Sequence, residues 1–204
     1  TAMTINVLLA DDQALVRGAL ATLLGLEPDI EVVAQVGTGR QVVDAVRTSG
    51  ADVALLDIDM PDGDGLSAAG AIREARLDCR CLIVTTFGRP GYLSRAMEAG
   101  ASGFIVKDTP PQQLADAVRK VHAGLRVIDP SLAQESVFLG PNPLTEREQE
   151  TLREALTGSG VSEIAKQLHL SEGTVRNYLS SAIGKTNSRN RTEAARVAET
   201  NGWL

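Results

Sequence analysis

Five short apolar runs, separated by helix-length segments, dominate the first 124 residues and leave few architectures open. The runs are Thr4–Ala10, Ile30–Val36, Asp52–Asp57, Cys81–Thr86 and Gly103–Lys107. Each is rich in Val, Ile and Leu and nearly continuous rather than alternating, which is the pattern of parallel strands buried on both faces. Between them, Leu15–Leu24, Gln41–Arg47, Leu66–Arg76, Tyr92–Ala99 and Gln112–His122 repeat apolar residues at helical spacing. Five such βα units predict an α/β fold, a doubly wound five-stranded parallel sheet.

The pattern dissolves between Gly124 and Pro143, where Pro130, Gly140, Pro141 and Pro143 interrupt it, although Ser131–Leu139 has room for a short helix. This stretch reads as a linker. Helical signals then resume. Thr145 and Glu148 have capping-box spacing ahead of a helix to about Leu156. A short helix carries Val161, Ile164, Ala165 and Leu168, and His169-Leu170 turns into Ser171, which can cap the next helix. There Val175, Tyr178, Leu179, Ala182 and Ile183 form one apolar stripe. With a fourth helix near Thr192–Thr200, these segments predict a small all-α unit of four helices containing a helix-turn-helix. The division is therefore residues 3–123, a linker at 124–142, and residues 143–204. Thr1-Ala2 stands ahead of Met3, which is taken as the natural start.

At 204 residues the chain has room for two small domains. Its mean hydropathy of −0.02 and 43% hydrophobic content suit a globular protein that buries a sizeable core. No run reaches the roughly 18 apolar residues of a membrane helix, and no signal peptide is evident. The expected location is cytoplasmic, with no membrane insertion. Cys79 and Cys81 are the only cysteines, too few and too close in sequence for a disulfide framework, and they read as small strand residues. The net charge of −6 argues against a wholly basic nucleic-acid binder. That figure conceals a gradient: residues 1–124 carry −5, whereas residues 173–204 carry +3.

Ligands of open α/β sheets gather outside the carboxyl ends of the strands. Asp11 and Asp12 end the first predicted strand, Asp57 the third, Thr85 and Thr86 the fourth, and Lys107 the fifth. Each has an ordinary explanation by itself, but together they put polar groups on one rim. Grouped carboxylates repel and raise one another's pKa until a cation binds. Oxygen ligands without His or Cys favour Mg²⁺. A carboxylate beside such a cation can take up a phosphoryl group as an aspartyl phosphate, with Lys107 and Thr85 placed to stabilise it. Pro61, Gly63 and Gly65 bend the following loop, so that a carbonyl near Asp59 can face the metal.

In these features, Asp11-Asp12, Asp57 followed by Pro61 and Gly65, Thr85 and Lys107, residues 3–122 strongly resemble the receiver domain of two-component response regulators, a flavodoxin-like fold. The resemblance implies that Asp57 is the phosphoacceptor. It further implies that Asp12 binds Mg²⁺ directly, Asp11 assists through water, and the Asp59 main-chain carbonyl is a ligand. Thr85 and Phe104 would form the switch pair; Phe104 stands where the family often has tyrosine. Gly88-Arg89-Pro90-Gly91-Tyr92 resembles a subset of the family that includes regulators of membrane-lipid desaturases.

On the third helix of the second unit, predicted over 172–186, Gly173, Arg176, Asn177 and Ser180 project away from the apolar stripe, with Lys185 further along. A small residue for close approach, Arg and Asn for base edges, and hydroxyls for phosphates suit a DNA-recognition helix. Residues 142–204 also resemble the LuxR-type (NarL/FixJ) helix-turn-helix domain, through Leu144–Glu148, Glu163-Ile164-Ala165, Leu168, Leu170-Ser171, Thr174-Val175 and Arg191–Ala195. That resemblance implies that Arg176, Asn177 and Ser180 face the major groove, with Thr174 and Lys185 nearer the phosphates. Thr186-Asn187-Ser188 replaces the usual Leu-Gly-Val, and Asn187 can still adopt the left-handed helix end.

The expectation is a phosphorelay protein, not an enzyme. A sensor histidine kinase phosphorylates Asp57, a homodimer forms, and promoter DNA is bound. Two alternatives stand beside it. Asp57-x-Asp59 is also similar to the nucleophile motif of haloacid-dehalogenase-like phosphatases, which however follows the first strand. The DNA-binding function could also be independent of phosphorylation.

Overall fold

Among the described residues, six parallel strands form the sheet: β1 (Ile5–Ala10), β2 (Ile30–Val36), β3 (Val53–Leu56), β4 (Arg80–Thr85), β5 (Gly103–Val106) and β6 (Val127–Ile128), in the order β2-β1-β3-β4-β5-β6. The winding reverses between β1 and β3, so their carboxyl ends open the crevice where such folds bind ligands. In the computed structural model, residues 4–86, 90–139 and 141–204 are described. They divide into two units, the first lying within residues 4–134 and the second made chiefly of residues 135–204.

Helices α1 (Ala14–Leu24), α2 (Gly39–Ser49), α3 (Gly65–Glu74), α4 (Pro90–Glu98) and α5 (Pro111–His122) connect the strands. Because strand side chains alternate, Val7, Leu9, Val53, Leu55, Leu82, Val84 and Ile105 share one face of the sheet. They pack with Leu114, Val118 and Val121 of α5 in a continuous core. Leu8, Leu56, Ile83 and Phe104, on the opposite face, are equally buried. Burial on both faces explains why these strands read as unbroken apolar runs.

The sixth strand corrects the expectation of five. Val127–Ile128 falls in the stretch that reads as linker, yet its backbone pairs with β5: Val127 N–H donates to Ser102 O at 3.1 Å, and Asp129 N–H to Phe104 O at 2.9 Å. A two-residue strand at a sheet edge has no periodicity to reveal it. The linker segment therefore begins inside the sheet and continues into α6 (Pro130–Leu139).

In the second unit, α7 (Glu146–Leu156), α8 (Val161–Gln167), α9 (Glu172–Lys185) and α10 (Arg191–Thr200) surround a core of Leu152, Ile164, Val175, Leu179, Ala194, Ala198 and Trp203. The capping box at Thr145 and Glu148 is formed in both directions. The turn joining α8 to α9 is closed by Leu170 N–H donating to Ala165 O at 2.8 Å, with His169 in the left-handed region at φ 56°. Asn187 likewise ends α9 at φ 51°, as its short polar side chain permits.

Candidate functional site

The rim residues converge. Asp11 follows β1, Asp57 follows β3, Thr85 ends β4, and Lys107 follows β5; Asp11, Asp57 and Thr85 are buried at 3%, 4% and 2% exposure. Carboxylate oxygens of Asp11, Asp12 and Asp57 all lie within 4.8 Å of one another, and Asp12 alone of the three is exposed. Lys107 Nζ sits 2.6 Å from Asp11 Oδ2 and 3.0 Å from Asp57 Oδ2. At these distances the contact is a buried ion pair, in which distance and charge set the energy.

The Lys107 ammonium pairs with two of these three carboxylates, Asp11 and Asp57. Burial is the main influence on Asp57 and raises its pKa above the ordinary carboxylate value; Lys107 opposes this, while Asp11 and Asp59 add to the rise. For Lys107, burial favours the neutral amine, but Asp11 and Asp57 outweigh it and hold the group charged. The cluster is thus oxygen-only, negatively charged and open at Asp12, the donor chemistry of a hard divalent cation.

The sign of the Asp57 shift has a consequence for stability. A carboxyl whose pKa is raised by folding favours the fold when protonated, and that contribution is lost as pH rises from about 3.8 through the raised value. Asp57→Asn is therefore expected to melt above the parent protein at pH 7 in metal-free buffer, and to match it at pH 3. Calorimetry at the two pH values checks this.

Thr85 and Phe104 lie on adjacent strands, with Ile83 opposite Phe104 and Thr85 opposite Val106. They consequently share a sheet face, and Phe104 is completely buried. Asp59 is exposed in the loop after β3, where Pro61 O accepts a hydrogen bond from Gly39 N–H at 3.2 Å. Gly88 and Arg89 of the Gly88–Tyr92 segment lie outside the described residues.

On α9, Ser171 caps the helix by accepting from Thr174 N–H at 3.1 Å. Val175, Leu179 and Ala182 face the core, while Arg176, Asn177 and Ser180 are not buried with them. Two pairings go beyond the sequence reading. Arg176 Nη2 is 2.7 Å from Glu172 Oε2, an exposed pair that the Glu-to-Arg spacing of four residues signals. Lys185 Nζ is 2.8 Å from Glu148 Oε2 on α7, and Ser181 Oγ donates to Glu148 Oε1 at 2.6 Å. Burial alone would raise the Glu148 pKa; Lys185, Ser181 and the Thr145 N–H outweigh it and hold it at about 2. No sequence spacing links residues as far apart as Glu148 and Lys185, so this junction of α7 and α9 leaves no local signal.

Comparison with known proteins finds two family models in the chain. The family model for the response regulator receiver domain matches residues 7–119, and that for bacterial regulatory proteins of the luxR family matches residues 142–198. The transcriptional regulatory protein DesR of Bacillus subtilis is 42% identical over 98% of this chain and 99% of its own. The uncharacterised transcriptional regulatory protein YvfU of the same organism is 44% identical over 98% of this chain and 100% of its own. Among solved structures, the response regulator ChrA of a heme-sensing two-component system is 33% identical, with a TM-score of 0.60 over 98% of this chain and 99% of that one. No helix among the described residues is long and apolar enough to cross a membrane. The chain belongs to the two-component response regulators, those in which a receiver domain precedes a LuxR-type DNA-binding domain.

Proposed function

We propose that this response regulator is switched by phosphorylation of Asp57 and, once switched, binds promoter DNA through α9. The observation that carries the reading is the ion pair of buried Asp57 with Lys107 beside the carboxylates of Asp11 and Asp12. An Asp57 carboxylate oxygen attacks the phosphorus of a kinase phosphohistidine. The P–N bond breaks, the histidine nitrogen leaves, and an acyl phosphate forms on Asp57. Lys107 stabilises the charge on the transferring group, and the Thr85 hydroxyl donates to one of its oxygens. Mg²⁺, held by Asp12, Asp57 and the Asp59 carbonyl, with Asp11 acting through water, would supply further neutralisation of the phosphoryl oxygens. The donor set fits such an ion, being three clustered carboxylates with no soft ligand.

Thr85 and Phe104 form the switch pair in this reading. Phe104 brings bulk to the movement and no hydroxyl, so the signal is one of packing. Dimerisation then presents two copies of α9 to half-sites about one DNA turn apart. Arg176, Asn177 and Ser180 meet base edges, while Thr174 and Lys185 lie nearer the phosphates. Binding to DNA requires Arg176 to exchange Glu172 for its new partner, a small cost for an exposed pair.

Incubation with Mg²⁺ and a small phosphodonor, followed by intact mass measurement, tests the first step. One phosphoryl adduct in the parent protein and none in Asp57→Asn is expected. An adduct that persists in Asp57→Asn rules the assignment out, and unchanged DNA affinity upon phosphorylation rules out the coupling.

A further inference from the structure

The cation site proposed above depends on the aim of Asp12, which is exposed and, among the described residues, makes no hydrogen bond that would hold its carboxylate in place. Its neighbour is held on every side. Asp11 N–H donates to Val36 O at 3.1 Å, Asp11 Oδ1 accepts from Gln13 N–H at 2.9 Å, and Asp11 Oδ2 faces Lys107. The remaining polar atom, the Asp11 main-chain carbonyl, accepts from Arg17 Nη1. That carbonyl belongs to the planar peptide unit whose nitrogen is that of Asp12. Fixing its direction therefore fixes the direction in which the chain enters Asp12.

Arg17 is well placed for this task. It lies in the first turn of α1, is half-buried, and enters no ion pair among the described residues. A Cβ built on Gly37 would stand 3.5 Å from Arg17 Nη1, an ordinary van der Waals distance, so the guanidinium lies alongside the end of β2 without crowding. The residue preceding α1, Gln13, makes no side-chain cap. Arg17 thus supplies, from one turn into the helix, a restraint on the acidic loop that no cap provides.

We propose that Arg17 is a positioning residue of the cation site, acting through the Asp11 carbonyl to aim the Asp12 carboxylate; this rests on the reading of that site as a Mg²⁺ site. The sign of the effect separates this role from simple electrostatics. Removing a positive charge near three carboxylates should tighten cation binding if charge is all that matters, whereas losing an outer-shell orienting contact typically weakens metal binding by about 10- to 100-fold.

The experiment is calorimetric titration of the full chain with MgCl₂, comparing the parent protein, Asp12→Asn, Arg17→Met and Arg17→Lys. Arg17→Met keeps the apolar stem and removes the donor. We expect binding to the parent protein, its loss in Asp12→Asn, about 10-fold weaker binding in Arg17→Met, and partial recovery in Arg17→Lys. Equal or tighter binding in Arg17→Met overturns the proposal while leaving the cation site intact. Failure of the parent protein to bind Mg²⁺ removes the site itself, and the proposal with it.

Discussion

Gly65→Ala is expected to lower the unfolding temperature of the first unit by roughly 10 °C or more, a loss of about 3 kcal/mol. A Cβ at Gly65 would lie 2.1 Å from the Asp57 carbonyl oxygen and 2.8 Å from its carbon. Both are backbone atoms, so no side chain can swing aside. The start of α3 is also hydrogen-bonded to this segment, through Gly65 N–H to Ile58 O at 3.2 Å. Relief of the clash must therefore displace the Asp57 main chain itself, and phosphoryl uptake should fall with stability. Gly70 is the control within the same helix. A methyl group there would meet nothing within 4 Å, so Gly70→Ala should gain roughly 0.5–1 kcal/mol from helix propensity. Thermal unfolding of both variants decides the matter, and equal losses at the two sites would refute the close-approach argument.

Glu148→Ala is expected to cost the second unit about 2–3 kcal/mol. The side chain closes the capping box of α7, accepts from Ser181, and neutralises Lys185 across to α9. Its removal strands the Thr145 N–H and the Ser181 hydroxyl. Half-exposed Lys185 can return to water, which keeps the cost below that of a fully buried pair. The pH dependence has a definite sign. With its pKa held at about 2, against 4.5 for an ordinary glutamate, Glu148 stabilises the fold fully above about pH 4.5, and that contribution fades as pH falls towards 2. Glu148→Gln should consequently be less stable than the parent protein at pH 7, with the gap narrowing as pH drops from 5 to 2. A gap that is constant with pH would show that shape, not charge, matters at this position.

Most of the architecture is legible in the sequence because each element carries a local signal. Doubly buried strands give unbroken runs, the capping box announces α7, and one apolar stripe defines α9. The rim can be read because the fold itself sends every strand end to one edge, so that Asp11, Asp57, Thr85 and Lys107 become neighbours by topology. Features resting on long-range geometry are not legible. β6 is two residues whose strand character comes from β5; Glu148 meets Lys185 only after α7 and α9 pack; Arg17 reaches a carbonyl, which every residue possesses and no sequence marks. Arg176 and Glu172 are readable in principle from their spacing of four, but the outward face of α9 as a whole carries the stronger signal.

The position of Trp203 gives the molecule a built-in reporter. It is the chain's single tryptophan and is buried in the core of the second unit. Emission excited at the indole band therefore follows that unit, and the receiver unit, which holds no tryptophan, is dark in the same spectrum. Circular dichroism records both, so superposing the two melting curves reveals whether the units unfold as one cooperative block or as two.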